Sequence, residues 1–91
     1  IVAYEPVWAI ANGGAGTPCL PADADDVQGW IKQELLQYTG DTVPVLYGGS
    51  VDVKNVVSYL SRETIDGVLV GSASVKQSDW FALLRQAEEN I

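Results

Sequence analysis

Three short apolar runs limit what this chain can fold into: Ile1 to Tyr4, Val43 to Tyr47, and Val68 to Val70, the last just after Asp66-Gly67. Each is apolar at consecutive positions rather than alternate ones, the pattern of strands buried on both faces, as parallel strands covered by helices are. The intervening sequence is helical in period. From Pro21 to Tyr38, Val27, Trp30, Ile31 and Leu35 recur at helical spacing. Asp23, Asp25 and Asp26 fall in the first turns, where the helix dipole favours negative charge, and Gly40 supplies the stop. A second helix is predicted over Val53 to Leu60 with Val56, Val57 and Leu60 inward. A third is predicted after Ser78, burying Trp80 or Phe81, with Leu84 and Ala87. The order strand, helix, strand, helix, strand, helix argues for right-handed parallel βαβ connections, in a doubly wound sheet or a (β/α)8 barrel. Three such units cannot close a barrel.

Length sharpens that point. At 91 residues, 47% of them apolar, the chain carries more apolar sequence than three units can cover, and it expects a larger partner surface. It has no methionine and opens inside what reads as a strand, so we expect it to be part of a longer protein. Twelve acidic residues against five basic ones give a net charge of −7, with no cluster of Lys and Arg, which excludes a nucleic-acid partner on electrostatic grounds. Cys19 is the only cysteine, so no internal disulfide can form, and a reducing, cytoplasmic setting is expected. No apolar run approaches the roughly 20 residues of a membrane span.

The strand ends carry the chemistry. The first run stops on a carboxylate, Glu5, followed by Pro6, whose fixed φ biases the preceding residue toward extended geometry and holds the carboxylate at the strand's C-terminal mouth. In parallel α/β folds that mouth is where loops surround a ligand. By position and flanks alone Glu5 is either a catalytic base there or a surface glutamate at a strand end. Val7, Trp8, Ala9 and Ile10 then form an apolar root leading into Ala11-Asn12-Gly13-Gly14-Ala15-Gly16, the composition of a lid with an apolar, water-excluding tip on flexible hinges. The second strand ends in Tyr47-Gly48-Gly49-Ser50-Val51, where paired glycines let backbone approach a ligand and Ser50 can donate from amide and hydroxyl. The third ends in Gly71-Ser72-Ala73-Ser74 and leads into a short helical turn. A single Gly-Gly-Ser reads as an ordinary turn. Two glycine-serine turns on adjacent strands, beside a carboxylate and a lid, point to a phosphate. Trp30 and Trp80 read as packing residues, the Asp23 to Asp26 cluster as a solvated helix start rather than a metal site, and Cys19, in a chain with no histidine, as no nucleophile.

Three stretches, Ala3-Tyr4-Glu5-Pro6-Val7-Trp8-Ala9-Ile10, Tyr47-Gly48-Gly49-Ser50-Val51 with Asn55, and Asp66-Gly67-Val68-Leu69-Val70-Gly71-Ser72-Ala73-Ser74, resemble the triosephosphate isomerase family in order and spacing across essentially the whole chain. The resemblance implies an α/β fold, a (β/α)8 TIM barrel of which these residues form the C-terminal part, from sixth strand to last helix. It also implies interconversion of dihydroxyacetone phosphate and glyceraldehyde 3-phosphate, with Glu5 as the proton-transferring base and no cofactor or metal. Phosphate would be held by amides of Ala11, Ser50, Gly71 and Ser72. The lid and clamp would be Pro6, Val7, Trp8, Ile10, Gly13, Tyr47 and Leu69, with Ile10 and Leu69 over the carboxylate and Tyr47 and Ser50 latching the closed lid, Ser50 through Gly13. The implied partners are a triose phosphate, the N-terminal barrel portion and, for the full-length protein, a second copy in a homodimer. The family's lysine near the first strand and histidine after the fourth match nothing in this chain. Two departures stand out: Ala11-Asn12-Gly13-Gly14-Ala15-Gly16 replaces the usual Gly-Thr-Gly-Lys-Thr-Ala, with extra residues near Thr17 to Pro21, and Ser72 replaces the second glycine of the usual Gly-Gly-Ala-Ser.

Overall fold

The computed structural model describes residues 1–10 and 19–90. Strands β1 (Val2–Tyr4), β2 (Val45–Gly49) and β3 (Gly67–Val70) form one parallel sheet in the order β1-β2-β3, and helices α1 (Pro21–Thr39), α2 (Val56–Leu60) and α3 (Gln77–Glu89) alternate with them. The predicted βαβ order is therefore observed. The register pairs Tyr4 with Tyr47 and Gly48 with Leu69. β2 runs two residues later than its β-branched run suggests: Val43 and Pro44 precede it, while Gly48 and Gly49 are strand residues paired with Leu69 and Val70. Cross-strand bonding, which a propensity reading undervalues at glycine, holds them in the ladder.

Because successive strand residues point to opposite faces, the register sorts the sheet into two sides. Tyr4, Tyr47, Val68 and Val70 face the helices and pack into the core; Ala3, Leu46, Gly67 and Leu69 occupy the other face. Helices cover only the first face among the described residues, and Leu69 remains exposed on the second. The two-sided burial expected from the sequence is thus realised on one side of this chain. The covered side centres on Tyr47, fully buried, which stacks on Tyr59 with ring centroids 4.3 Å apart and 15° between planes. The Tyr59 hydroxyl in turn donates to the Cys19 carbonyl. Burial pushes the Tyr59 phenol and the Cys19 thiol up from their ordinary values, which keeps both protonated and uncharged in this apolar setting.

α1 begins with Pro21 at its first position and ends at Gly40 in the left-handed region (φ 74°), whose N–H caps the Leu36 carbonyl at 2.8 Å. These are the ends the sequence predicts to within a residue. Its inward stripe is different: Ala24 and Gln28 are fully buried, Ile31 and Leu35 half-buried, whereas Val27 is exposed and Trp30 is 63% exposed. The Gln28 amide explains the phase, since its Nε2 donates to the carbonyls of Val45 (3.2 Å) and Thr64 (2.9 Å), tying the helix to the start of β2 and the approach to β3. Large apolar side chains at 27 and 30 would have to displace that contact, and the small, fully buried Ala24 lets the helix come close. In α2 the helix is shorter than predicted, because Asp52 and Asn55 close a turn first: the Asp52 carboxylate accepts from the Lys54 and Asn55 amides, and Asn55 Oδ1 accepts from the Asp52 amide at 2.8 Å. α3 starts at Gln77 and buries Leu83 with Trp80 half-buried, leaving Phe81 and Leu84 outward. At the opposite end of the sheet from the glycine turns, Asp66 Oδ2 accepts from the Val45 amide (2.8 Å) and pairs with Lys32. Burial works to raise the Asp66 carboxyl, but the Lys32 hydrogen bond, the Val45 amide and the Lys32 charge together hold it below its ordinary value.

Candidate functional site

The C-terminal ends of the three strands lie side by side, as a parallel sheet requires, and gather the residues singled out by sequence. Glu5 follows Tyr4 by one and so shares the open face with Ala3. Continuing the register places Glu5 opposite Gly48, and Gly48 is paired with Leu69, so one row across the sheet reads Glu5, Gly48, Leu69. The Glu5 side chain lies across the Gly48 α-carbon. A small cleft of about 250 Å³ is lined by Glu5, Gly48, Leu69, Ile10, Gly49 and Gly71. It adjoins a larger one of about 750 Å³ whose wall includes Ile10, Gly49, Ser50, Gly71, Ser72 and Asp79. The two share Ile10, Gly49 and Gly71. The carboxylate and both glycine-serine turns therefore open onto one continuous depression.

After Glu5 the chain enters a 3-10 turn, Val7–Ala9, set by Pro6 at φ −62° and closed by the Ala9 amide donating to the Pro6 carbonyl at 2.9 Å. Ala9 is buried, and its carbonyl accepts from Ser50 Oγ at 2.8 Å. Asn55 Nδ2 donates to the Ser50 carbonyl at 2.7 Å, so Ser50 is fixed from two sides and the root of the first loop is tied to the loop after β2. Pro6 is buried, while Val7, Trp8 (54% exposed) and Ile10 face outward, because the turn spends its one inward position on Ala9. Ala11 and Gly13 lie outside the described residues.

Tyr47 does not line the depression. Its ring points into the helix-covered core and its hydroxyl reaches forward along β2 against Gly49, so burial first, and the Tyr59 hydroxyl second, push its phenol far up. The paired glycines thus make room for protein: Gly48 for Glu5, Gly49 for Tyr47. Sequence reasoning assigned that room to a ligand. It also left out Asn55 as the tether of Ser50, although the Asp52-to-Asn55 spacing signals a closed turn, and Asp79 as a carboxylate in the wall of the larger cleft.

At the end of β3, Ser74 closes a 3-10 turn (Ser72–Ser74) on the Gly71 carbonyl through both its amide (2.9 Å) and its hydroxyl (2.6 Å). The first N–H groups of such a turn have no acceptor within it. Among the described residues no cationic side chain lines either cleft, and no three His, Cys, Asp or Glu side chains are grouped so as to hold a metal. Donors here are amides and hydroxyls. No helix of the described residues is long and apolar enough to cross a membrane.

A parallel sheet with alternating helices and a carboxylate at its C-terminal mouth is the βαβ arrangement shared by doubly wound sheets and (β/α)8 barrels. The family model "Triosephosphate isomerase" matches residues 1–87, and the chain belongs to the triosephosphate isomerase family. It is 44% identical over 91 aligned residues to a triosephosphate isomerase of Dehalococcoides mccartyi, covering 96% of this chain and 35% of that protein. With that of Nocardia farcinica it shares 48% over 88 residues, covering 92% of this chain and 32% of the other. The crystal structure of triosephosphate isomerase from Bartonella henselae superimposes with a TM-score of 0.79 at 33% identity, over 97% of this chain and 35% of that one. The chain spans about a third of the length of the curated relatives it matches.

Proposed function

We propose that this chain is the C-terminal part of a (β/α)8 barrel, its sixth to eighth strands with their helices, and that the assembled protein interconverts dihydroxyacetone phosphate and D-glyceraldehyde 3-phosphate. The observation that carries the reading is the single depression onto which Glu5, Ser50, Gly71 and Ser72 all open. In this reading the phosphate sits in the larger cleft, held by amides of Ser50, Gly71 and Ser72, with Ala11 completing the set from the lid. The carbon chain then extends toward Glu5. The Glu5 carboxylate takes a proton from the hydroxyl-bearing carbon beside the carbonyl, giving an enediolate, and returns it to the former carbonyl carbon, while the hydroxyl proton passes from one oxygen to the other through the electrophile, so bonds and protons balance without a cofactor. Ile10 and Leu69, which both border the Glu5 cleft, are the apolar clamp that keeps water from the intermediate. Pro6, Val7 and Trp8 carry the lid, and Tyr47, Ser50 and Gly13 secure its closed form. The electrophile that polarises the carbonyl comes from the rest of the barrel, since this chain holds no histidine. The full-length protein is a cytoplasmic homodimer in this reading.

The test is Glu5→Asp in the full-length protein. Withdrawing the carboxylate by one methylene, a shift on the order of 1 Å, lowers kcat by about 100-fold while KM changes little. Unchanged kcat sinks the assignment of Glu5 as the base.

A further inference from the structure

The row Glu5, Gly48, Leu69 has a missing member: its middle position carries no side chain. A β-carbon built on Gly48 would stand 2.8 Å from Glu5 Cγ, 2.9 Å from Oε1 and 3.3 Å from the carboxyl carbon. Carbon atoms in contact rest about 3.5–4.0 Å apart, so a methyl group at 48 requires the Glu5 side chain to move by roughly 1 Å. Among the described residues outside its chain neighbours nothing else lies within 3.3 Å of that position, and Glu5 is an exposed side chain at a strand end, so the carboxylate would shift while the strand stays in place.

We propose that Gly48 is a positioning residue for Glu5: by leaving its place in the row empty, it provides the slot in which the carboxylate lies. This rests on the reading of Glu5 as the base. The geometry separates Gly48 from the adjacent Gly49, whose missing side chain is replaced by the Tyr47 ring on the core side of the sheet, and from Gly71, around which a β-carbon meets nothing within 4 Å among the described residues. Of the three glycines lining the Glu5 cleft, one alone is held empty by the carboxylate.

The experiment is a double-mutant cycle in the full-length protein, combining Gly48→Ala with Glu5→Ala and reading kcat, KM and competitive inhibition by inorganic phosphate. Gly48→Ala alone lowers kcat by about 100-fold, the effect of a misplacement on the order of 1 Å. KM and the phosphate inhibition constant stay within about threefold, because the anion cleft is untouched. In the Glu5→Ala background, where no carboxylate remains to be displaced, the same alanine changes the residual rate by less than about twofold. Equal losses in both backgrounds, whether from misfolding or from a second role of the glycine, overturn the proposal, as does a parallel loss of phosphate inhibition. If Glu5→Ala abolishes turnover and Gly48→Ala leaves kcat intact, positioning by Gly48 fails and the base assignment survives. If Glu5→Ala leaves turnover intact, both fall.

Discussion

Asp66 offers a measurement of how the N-terminal edge of the sheet is held. Its Oδ2 accepts the Val45 N–H at 2.8 Å and pairs with Lys32 Nζ, while its own N–H donates to the Val45 carbonyl at 3.0 Å. Val45 is fully buried, and the side chains of Lys32 and Asp66 are 21% and 32% exposed. Asp66→Asn keeps an acceptor for the Val45 amide and removes the charge. Solvent screening limits what that charge contributes at such exposure, so the expected loss is about 1 kcal/mol. Asp66→Ala also strands the buried Val45 N–H, which adds about 1–3 kcal/mol. The two substitutions therefore separate the ion pair from the amide contact, with Ala worse than Asn by more than 1 kcal/mol on this scale. Acid should remove the charge from both contacts, as Asp66→Asn does, since the Lys32 pair and the Val45 amide both hold the carboxyl down. The Asp66 carboxyl is depressed below its ordinary 3.8, so its contribution is fully present above that value and disappears as pH falls through the lower, folded-state value. Urea unfolding of the full-length protein at neutral pH gives the Asn and Ala losses. Repeating it from about pH 5 downward should show the gap between wild type and Asp66→Asn closing. Alanine and asparagine variants of equal stability, or a gap that does not close in acid, would refute the account.

Two further outcomes follow from the packing. Gly49→Ala places a β-carbon 2.7 Å from Tyr47 Cζ in a ring that is fully buried and stacked on Tyr59, so it should cost about 1–3 kcal/mol by overpacking. Gly29→Ala in α1, which meets only Thr64 Cγ2 at 3.5 Å, should leave stability unchanged or raise it by up to about 1 kcal/mol, and urea midpoints distinguish the two. The 91 residues prepared alone should aggregate or melt without cooperativity, because among the described residues β1 and β3 each have an unpaired edge and the face bearing Ala3, Leu46 and Leu69 has no helix over it. A cooperative, concentration-independent melt contradicts that expectation.

The order of elements was legible because it depends on properties each segment carries by itself. Consecutive apolar residues mark β1 and β3 and the first half of β2, while Pro21 and Gly40 mark the ends of α1 through backbone constraints that no neighbour can alter. What escaped was rotational phase. In α1 Val27 and Trp30 carry far more apolar surface than Ala24 and Gln28, yet the helix buries the latter pair, because Gln28 satisfies two carbonyls of other elements and small Ala24 permits the approach. In α3 Leu83 and Leu84 are adjacent and equally apolar, and only packing against the rest of the core selects Leu83. Selection of this kind lies in the partner surface, which a single segment does not encode.

The candidate site divides along the same line. Glu5, Ser50, Gly71 and Ser72 could be picked out because each ends a strand, and parallel strands in sequence order bring their ends together whatever the register. The work of Gly48, Gly49 and Tyr47 depends on register itself. Sliding β1 by one residue against β2 would put Glu5 opposite Gly49 and turn its side chain to the face that Tyr47 fills. The observed pairing of Tyr4 with Tyr47 keeps both tyrosines on the core side, in a tilted contact at 6.5 Å. The same pairing obliges the next residue, Glu5, to face the depression. Burial of an aromatic pair on one side of the sheet thus fixes where the carboxylate points on the other, and the glycine beside it decides how closely the carboxylate can lie against the strand.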